Sequence, residues 1–97
     1  VSKQGLLKIP KNPEIKNKQG ICEWKWGELK KSTLSFQDAS TWDPNYLEPR
    51  INLTYVLIDQ SRFDEALDVL KKLESHPKAK KDEITKIRNL AESQKYI

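Results

Sequence analysis

The sequence predicts an all-α chain built from antiparallel helix–turn–helix units that stack on one another. Three observations predict it. The 97 residues hold only three Gly, and Val-rich or alternating strand patterns are nearly absent between the breaks at Pro10–Pro13, Asp43-Pro44-Asn45 and His76-Pro77. The segments between those breaks are rich in Leu, Lys, Glu, Gln and Ala, with apolar residues at spacings of three and four. The chain also resembles itself when it is shifted by 34 residues.

The elements follow in order. Lys11-Asn12-Pro13 is a breaker-rich start, and the first helix after it carries Gly20 and ends near Gly27. It is a weak helix by pattern, with Lys16 and Gln19 at positions where large apolar residues would serve, and Leu6-Leu7-Ile9 is its expected packing partner. The second runs through Phe36 and Ala39 to Asp43-Pro44-Asn45, a turn in which Pro fixes φ and the Asp and Asn side chains take up backbone donors. In the third, Ile51, Leu53, Tyr55, Val56, Leu57 and Ile58 make more than one face apolar. Asn45 and Glu48 read as its capping box, and Pro49 is tolerated in its first turn.

Ser61-Arg62 leaves a turn so short that the next helix must fold back antiparallel. That fourth helix sets Phe63, Ala66, Leu67, Val69, Leu70 and Leu73 against a charged face. Asp64 and Glu65 open it and Lys71 and Lys72 close it, in the order that the helix dipole favours, and Asp68 and Lys72 form an i,i+4 pair. The fifth spans roughly 80–95, with Ile84, Ile87, Leu90 and Ala91 as its apolar stripe and Lys80, Lys81, Lys86, Ser93 and Lys95 on a solvating side.

With the shift of 34 residues, Gly27–Ser32 falls on Ser61–Ala66, Phe36 on Leu70, Ala39 on Leu73, Gly20 on Thr54, Ile21 on Tyr55 and Trp24 on Ile58. A further shift carries Leu53 to Ile87 and Leu57 to Ala91. Small residues at Gly20, Ser32, Ala39, Thr54 and Ala66 let backbones approach, while Phe36, Phe63, Leu70 and Leu73 fill the space between units. One such hairpin cannot bury its apolar face alone, so neighbours must stack.

Gly20, Gly27, Leu29, Ser32, Phe36, Ala39 and Pro44, then Leu53, Phe63, Ala66, Leu70 and Pro77, resemble the pattern of the tetratricopeptide repeat family. Gly27 through Tyr46 and Phe63-Asp64-Glu65-Ala66-Leu67 are the most similar stretches; Thr54 and Ser61 stand where the second unit would carry glycines. The resemblance covers residues 13–96 and implies a short right-handed α–α superhelix of about five helices. It divides the chain into an N-terminal extension (1–12), a first repeat (13–46), a second repeat (47–78) and a C-terminal capping helix (79–97).

The resemblance also implies function: a non-catalytic module that binds a peptide or protein segment in a concave groove, or scaffolds a larger assembly. The family's groove positions fall on Glu14, Asn17, Lys18, Ile21, Trp24 and Lys25, on Glu48, Ile51, Asn52, Tyr55, Ile58 and Asp59, and on Asp82, Thr85, Lys86, Asn89 and Glu92. The expected partner-binding residues are Asn17, Ile21, Trp24, Lys25, Asn52, Tyr55, Asp59, Lys86 and Asn89, with Trp24, Tyr55 and Asn52 foremost. The alternative for Trp24 and Tyr55 is packing against neighbouring helices. Some members of the family clamp a C-terminal carboxylate with Lys, Asn and Arg; Asn52 and Lys86 match two such positions, but Asn17 and Ile21 stand where Lys and Asn are needed, so that clamp is incomplete.

No catalytic, cofactor-binding or metal-binding set is found. His76 is a lone histidine in a turn and reads as an exposed loop residue; Cys22, on the position of Val56, reads as a buried small hydrophobe. Asp64-Glu65 and Asp82-Glu83 are explained by first-turn dipole stabilisation, and no Gly-rich phosphate loop or nucleophile elbow occurs. Trp42 is expected under the turn between the units, and Trp26, beside Lys25, is either exposed as a partner anchor or half-buried in its turn.

The net charge of +4, from 18 Lys+Arg against 14 Asp+Glu, reads mainly as solvated helix faces, including the basic spot at Lys78, Lys80 and Lys81. A nucleic-acid partner is therefore not expected. The competing reading is weak binding of nucleic acid through Lys3, Lys8, Lys11, Lys16, Lys18, Lys25, Lys30 and Lys31, with Trp24 and Trp26 as stacking surfaces. A further alternative is an oligomerisation or regulatory domain of a larger enzyme or membrane-associated protein; self-association would cover an exposed apolar end.

No run approaches the ~18 apolar residues of a membrane span, so none is expected in this chain. The longest run, Tyr55-Val56-Leu57-Ile58, is far shorter. A single Cys fits a reducing, cytoplasmic setting but does not demand one. The chain does not begin with Met, as expected of a fragment or of a processed or anchored parent.

Overall fold

A computed structural model describes residues 11–96; the Leu6-Leu7-Ile9 segment and the basic residues Lys3 and Lys8 lie outside the described residues. Among these there are five helices and no strand: α1 Pro13–Lys25, α2 Leu29–Trp42, α3 Glu48–Asp59, α4 Phe63–Glu74 and α5 Lys81–Lys95. Each helix packs on the next, and α1 also touches α3 as α3 touches α5. The result is a slab of 54 × 31 × 17 Å. Its radius of gyration, 14.9 Å, exceeds the ~12–13 Å of a compact chain of this length.

Local chemistry explains the ends of α1. The Asn12 side chain accepts hydrogen bonds from the amides of Glu14 (3.0 Å) and Ile15 (3.2 Å), and Pro13 occupies the first turn, where its missing N–H costs nothing. At the other end Gly27 takes a φ of +78°, the Glu28 amide donates to the Glu23 carbonyl (2.8 Å) and the Gly27 amide to that of Trp24 (3.0 Å). That left-handed cap turns the chain back towards α2.

The same cap recurs between α3 and α4. Ser61 takes a φ of 60°, Arg62 donates to Leu57 (2.8 Å) and Ser61 to Ile58 (2.9 Å). Each donor and acceptor stands 34 residues beyond its counterpart. A residue with a Cβ thus adopts at Ser61 the conformation that glycine adopts without strain at Gly27.

The start of α3 differs from expectation. Its N-cap is Leu47, without a side-chain cap, so Asn45 and Glu48 form no capping box. Asn45 instead donates its backbone amide to the Asp43 carboxylate (3.1 Å), and Glu48 accepts from the Tyr46 hydroxyl (3.0 Å). The Asp-Pro-Asn turn satisfies itself before the helix begins. The expected Asp68–Lys72 pair is present at 3.7 Å, exposed and therefore worth only a few tenths of a kcal/mol.

The core runs along the stack through Phe36, Leu53, Val56, Leu57, Ile58, Ala66, Leu70, Leu73, Ile84, Ile87 and Ala91. Small residues make the close approaches: Gly20, Ser32, Ala39, Thr54 and Ala66 are all buried, and the Ser32 hydroxyl donates to the Gly20 carbonyl (2.8 Å). Phe36, Leu70 and Leu73 fill the layer between helices, whereas Phe63 is half-buried. Cys22 corrects its expectation: it is exposed, on a face of α1 that no described helix covers.

Candidate functional site

The nine residues expected to contact a partner do not form one free surface. Asn17, at the heart of α1, is buried (2% exposed); it donates to the Tyr46 hydroxyl (3.3 Å) and accepts from Asn52 (3.1 Å). These bonds tie α1 to α3 and to the turn that precedes α3, and a buried polar chain of this kind is tolerated only while each partner remains. Trp24 and Tyr55 stack on one another, with ring centroids 6.3 Å apart and planes at 23°, and Trp24 meets the Phe36 ring edge-on. The Trp24 indole N–H donates to the Asp59 carboxylate (2.7 Å). Packing between neighbouring helices therefore describes Trp24.

Ile21 is half-buried against the core, and Ile58, one of the groove positions implied by the family, is fully inside it. Lys25, Lys86 and Asn89 are exposed. Trp26 is the most open of the large hydrophobic side chains among the described residues, at 83% exposure. Trp42 is half-buried, with the Lys16 ammonium 5.9 Å from its ring centre, a cation–π contact that ties α1 to the end of α2. His76 is half-buried rather than exposed: its Nδ1 accepts from the Lys78 amide (3.0 Å) and its Nε2 lies 3.3 Å from the Asn45 side-chain oxygen. The turn around Pro77 is thereby fastened to the turn before α3.

Asn52, Tyr55 and Lys86 line two adjoining cavities, with Tyr55 common to both, between α3, α5 and the chain that joins α4 to α5. The more enclosed cavity, a cleft of about 410 Å³, has an apolar lining from Leu47, Ile51, Tyr55, Leu73, Ala79 and Ile84. Asn52, Glu48, Glu83, Lys78 and Lys80 supply the polar groups around it. It opens into a broader hollow of about 750 Å³ bounded by Tyr55, Lys80, Lys81, Asp82, Glu83 and Lys86. α3 presents Ile51, Asn52 and Tyr55 to this space because they fall at i, i+1 and i+4, on one side of the helix.

Sequence reasoning missed Leu47, Ala79 and the lysines of the joining segment. The only signal for them was the basic spot after His76-Pro77, which by composition alone matches any solvated loop. Near the same recess, burial first and the hydrogen bond to Glu48 second raise the Tyr46 hydroxyl above its ordinary pKa of 10.0. Among the described residues no group of three or more His, Cys, Asp or Glu side chains gathers to hold a metal ion, and no helix is long and apolar enough to cross a membrane. No family model, curated protein or solved structure matches this chain.

Proposed function

We propose that the chain is a non-catalytic interaction module, a tetratricopeptide-like array of two hairpins and a capping helix, that takes a peptide or protein segment between α3 and α5. The observation that carries this reading is the 410 Å³ cleft, whose apolar floor is ringed by groups able to fix a peptide backbone. Asn52 has a carboxamide oxygen to offer, and Glu83 and Lys80 flank it at the rim. An apolar anchor seated in a desolvated pocket with hydrogen-bonding neighbours is the arrangement that dominates the energetics of protein interfaces. The recurrence of the Gly27 cap at Ser61 supports the repeat architecture, because it is a geometric period and not merely a compositional one.

The reading is tested by panning the 97-residue chain against a displayed library of random peptides and then measuring the enriched peptides on Tyr55→Ala and Ile51→Ala variants. Enriched peptides should lose roughly tenfold or more in affinity on either variant, the effect of removing an interface anchor. A library without enrichment, or binding unchanged by both substitutions, overturns it.

Self-association is a second reading, favoured by Ile15 (64% exposed), Leu34 (62%) and Trp26 on the first hairpin. Sedimentation velocity over a range of concentrations decides it; a monomer throughout removes it.

A further inference from the structure

We propose that the cleft selects an acidic segment carrying an apolar side chain, and that Lys78, Lys80 and Lys81 of the segment joining α4 to α5 are the selecting residues. This rests on the reading of the cleft as a peptide-binding site and adds the chemistry of the peptide.

Three of the thirteen described lysines are in ion pairs and ten are in none; what sets four of those ten apart is that they border the cleft and the hollow beside it. Lys31, Lys72 and Lys95 pair with Glu28, Asp68 and Asp64 within 4 Å. The side chains of Lys78, Lys80, Lys81 and Lys86, all exposed around the cleft, have neither an ion pair nor a hydrogen bond among the described residues. Lys78 and Lys80 line the cleft, and Lys80, Lys81 and Lys86 line the hollow that shares Tyr55, Lys80 and Glu83 with it, so four uncommitted lysines border this pair of cavities.

Three carboxylates share the wall, and they are differently placed. Glu48 accepts the Tyr46 hydroxyl, and Asp82 and Glu83 sit in the first turn of α5, where they answer the helix dipole. The starts of α3 and α5 both border the cleft and neither carries a side-chain cap. Each contributes about half a positive charge. The four lysines and two helix starts then outweigh the three carboxylates by about two charges. A concave wall with a low-dielectric floor concentrates that field on whatever enters.

The combination disfavours a nucleic-acid strand. A polyphosphate places a charge on every residue, so some phosphates would face Glu48, Asp82 or Glu83, and Tyr55 is the one aromatic ring lining the cleft among the described residues. An acidic peptide can space its carboxylates to meet the lysines and set an apolar side chain on Ile51, Tyr55 and Ile84. The lysine stems add apolar cover while their heads stay wet.

The test uses fluorescence anisotropy with three labelled probes: a short peptide of alternating Glu and Leu, its Gln-for-Glu counterpart, and a single-stranded oligouridine. The acidic peptide should bind about tenfold or more tightly than the Gln peptide at low salt and lose that advantage as salt rises. The triple variant Lys78→Gln/Lys80→Gln/Lys81→Gln should weaken the acidic peptide about tenfold, from several surface charge contacts of a few-fold each. It should leave the Gln peptide unchanged. Lys30→Gln/Lys31→Gln/Lys71→Gln removes the same net charge elsewhere and should change binding by less than about threefold. Equal binding of the Glu and Gln peptides, both lost on Tyr55→Ala, overturns the charge selection and leaves the peptide cleft standing. Tighter binding of oligouridine than of either peptide, or an equal effect of the two triple variants, also overturns it.

Discussion

Gly20→Ala is the sharpest probe of how this stack is closed. A Cβ built on Gly20 would lie 2.6 Å from Cε1, 2.8 Å from Cδ1 and 3.0 Å from Cζ of Phe36. Phe36 is fully buried and held edge-on by Trp24, so its ring cannot simply swing away. Two effects oppose each other. Replacing a mid-helix glycine with alanine stabilises a helix by about 1 kcal/mol. Overpacking a closed core costs about 1–3 kcal/mol. The contacts are well below van der Waals distance and involve three ring atoms, so the upper half of that range applies and Gly20→Ala should cost about 1–2 kcal/mol net. Thermal unfolding followed by circular dichroism should fall by roughly 5–12 °C for a chain of this size.

The molecule already contains the compensated version. Thirty-four residues on, the positions are Thr54 and Leu70, a side chain with a Cβ and a smaller partner, and both are fully buried. Gly20→Ala/Phe36→Leu should therefore be more stable than the sum of the single changes predicts, with a coupling of at least about 0.5 kcal/mol. A Gly20→Ala variant as stable as the parent, or additive single changes, refutes the reasoning.

Three further outcomes are expected. Ser61→Gly should stabilise the chain by about 0.5–1 kcal/mol in urea unfolding, because the left-handed φ of 60° strains any residue with a Cβ; no gain, or a loss, would show that the turn tolerates Ser. Trp24→Phe should cost about 1–2 kcal/mol through the lost bond to Asp59 and the reduced stack on Tyr55, whereas Trp26→Ala should stay within about 0.5 kcal/mol, both read by denaturant midpoints. The raised pKa of Tyr46 means that the folded chain holds this proton more tightly than the unfolded chain. The stabilisation is then complete below pH 10.0 and lost as pH rises through the higher folded value. Tyr46→Phe should flatten that alkaline fall in urea midpoints, leaving the part due to Lys95, whose pKa the hydrogen bond to Asp64 also raises.

Much of the candidate site was legible only in part. Asn52, Tyr55 and Lys86 are expected from the groove positions that the resemblance implies; Asn52 and Tyr55 line the cleft, and Tyr55 and Lys86 the hollow beside it. Asn17 and Trp24 were named by the same logic but are consumed by α3, through Asn52, Tyr55 and Asp59. Spacing tells which side of a helix a residue occupies; it does not tell whether the next helix reaches it. Cys22 failed for a related reason. It aligns with the buried Val56, yet α1 stands at the edge of the described stack while α3 is enclosed by neighbours on both sides.

The sequence by itself determined the all-helical class, the last three helices and the breaks between them, while the weakly patterned first hairpin follows from the 34-residue shift. The last three helices and the breaks depend on local causes: turn residues that set φ, apolar residues at helical spacing, and charges ordered along the dipole, each acting within a few residues. The tertiary structure alone decided the length of the closest approach at Gly20, the stack of Trp24 on Tyr55 and the gathering of Lys78, Lys80, Lys81 and Lys86 around the cleft and the hollow beside it. Those depend on how far one helix stands from another, and that distance is set by the summed volumes of side chains far apart in the chain, which no local pattern contains.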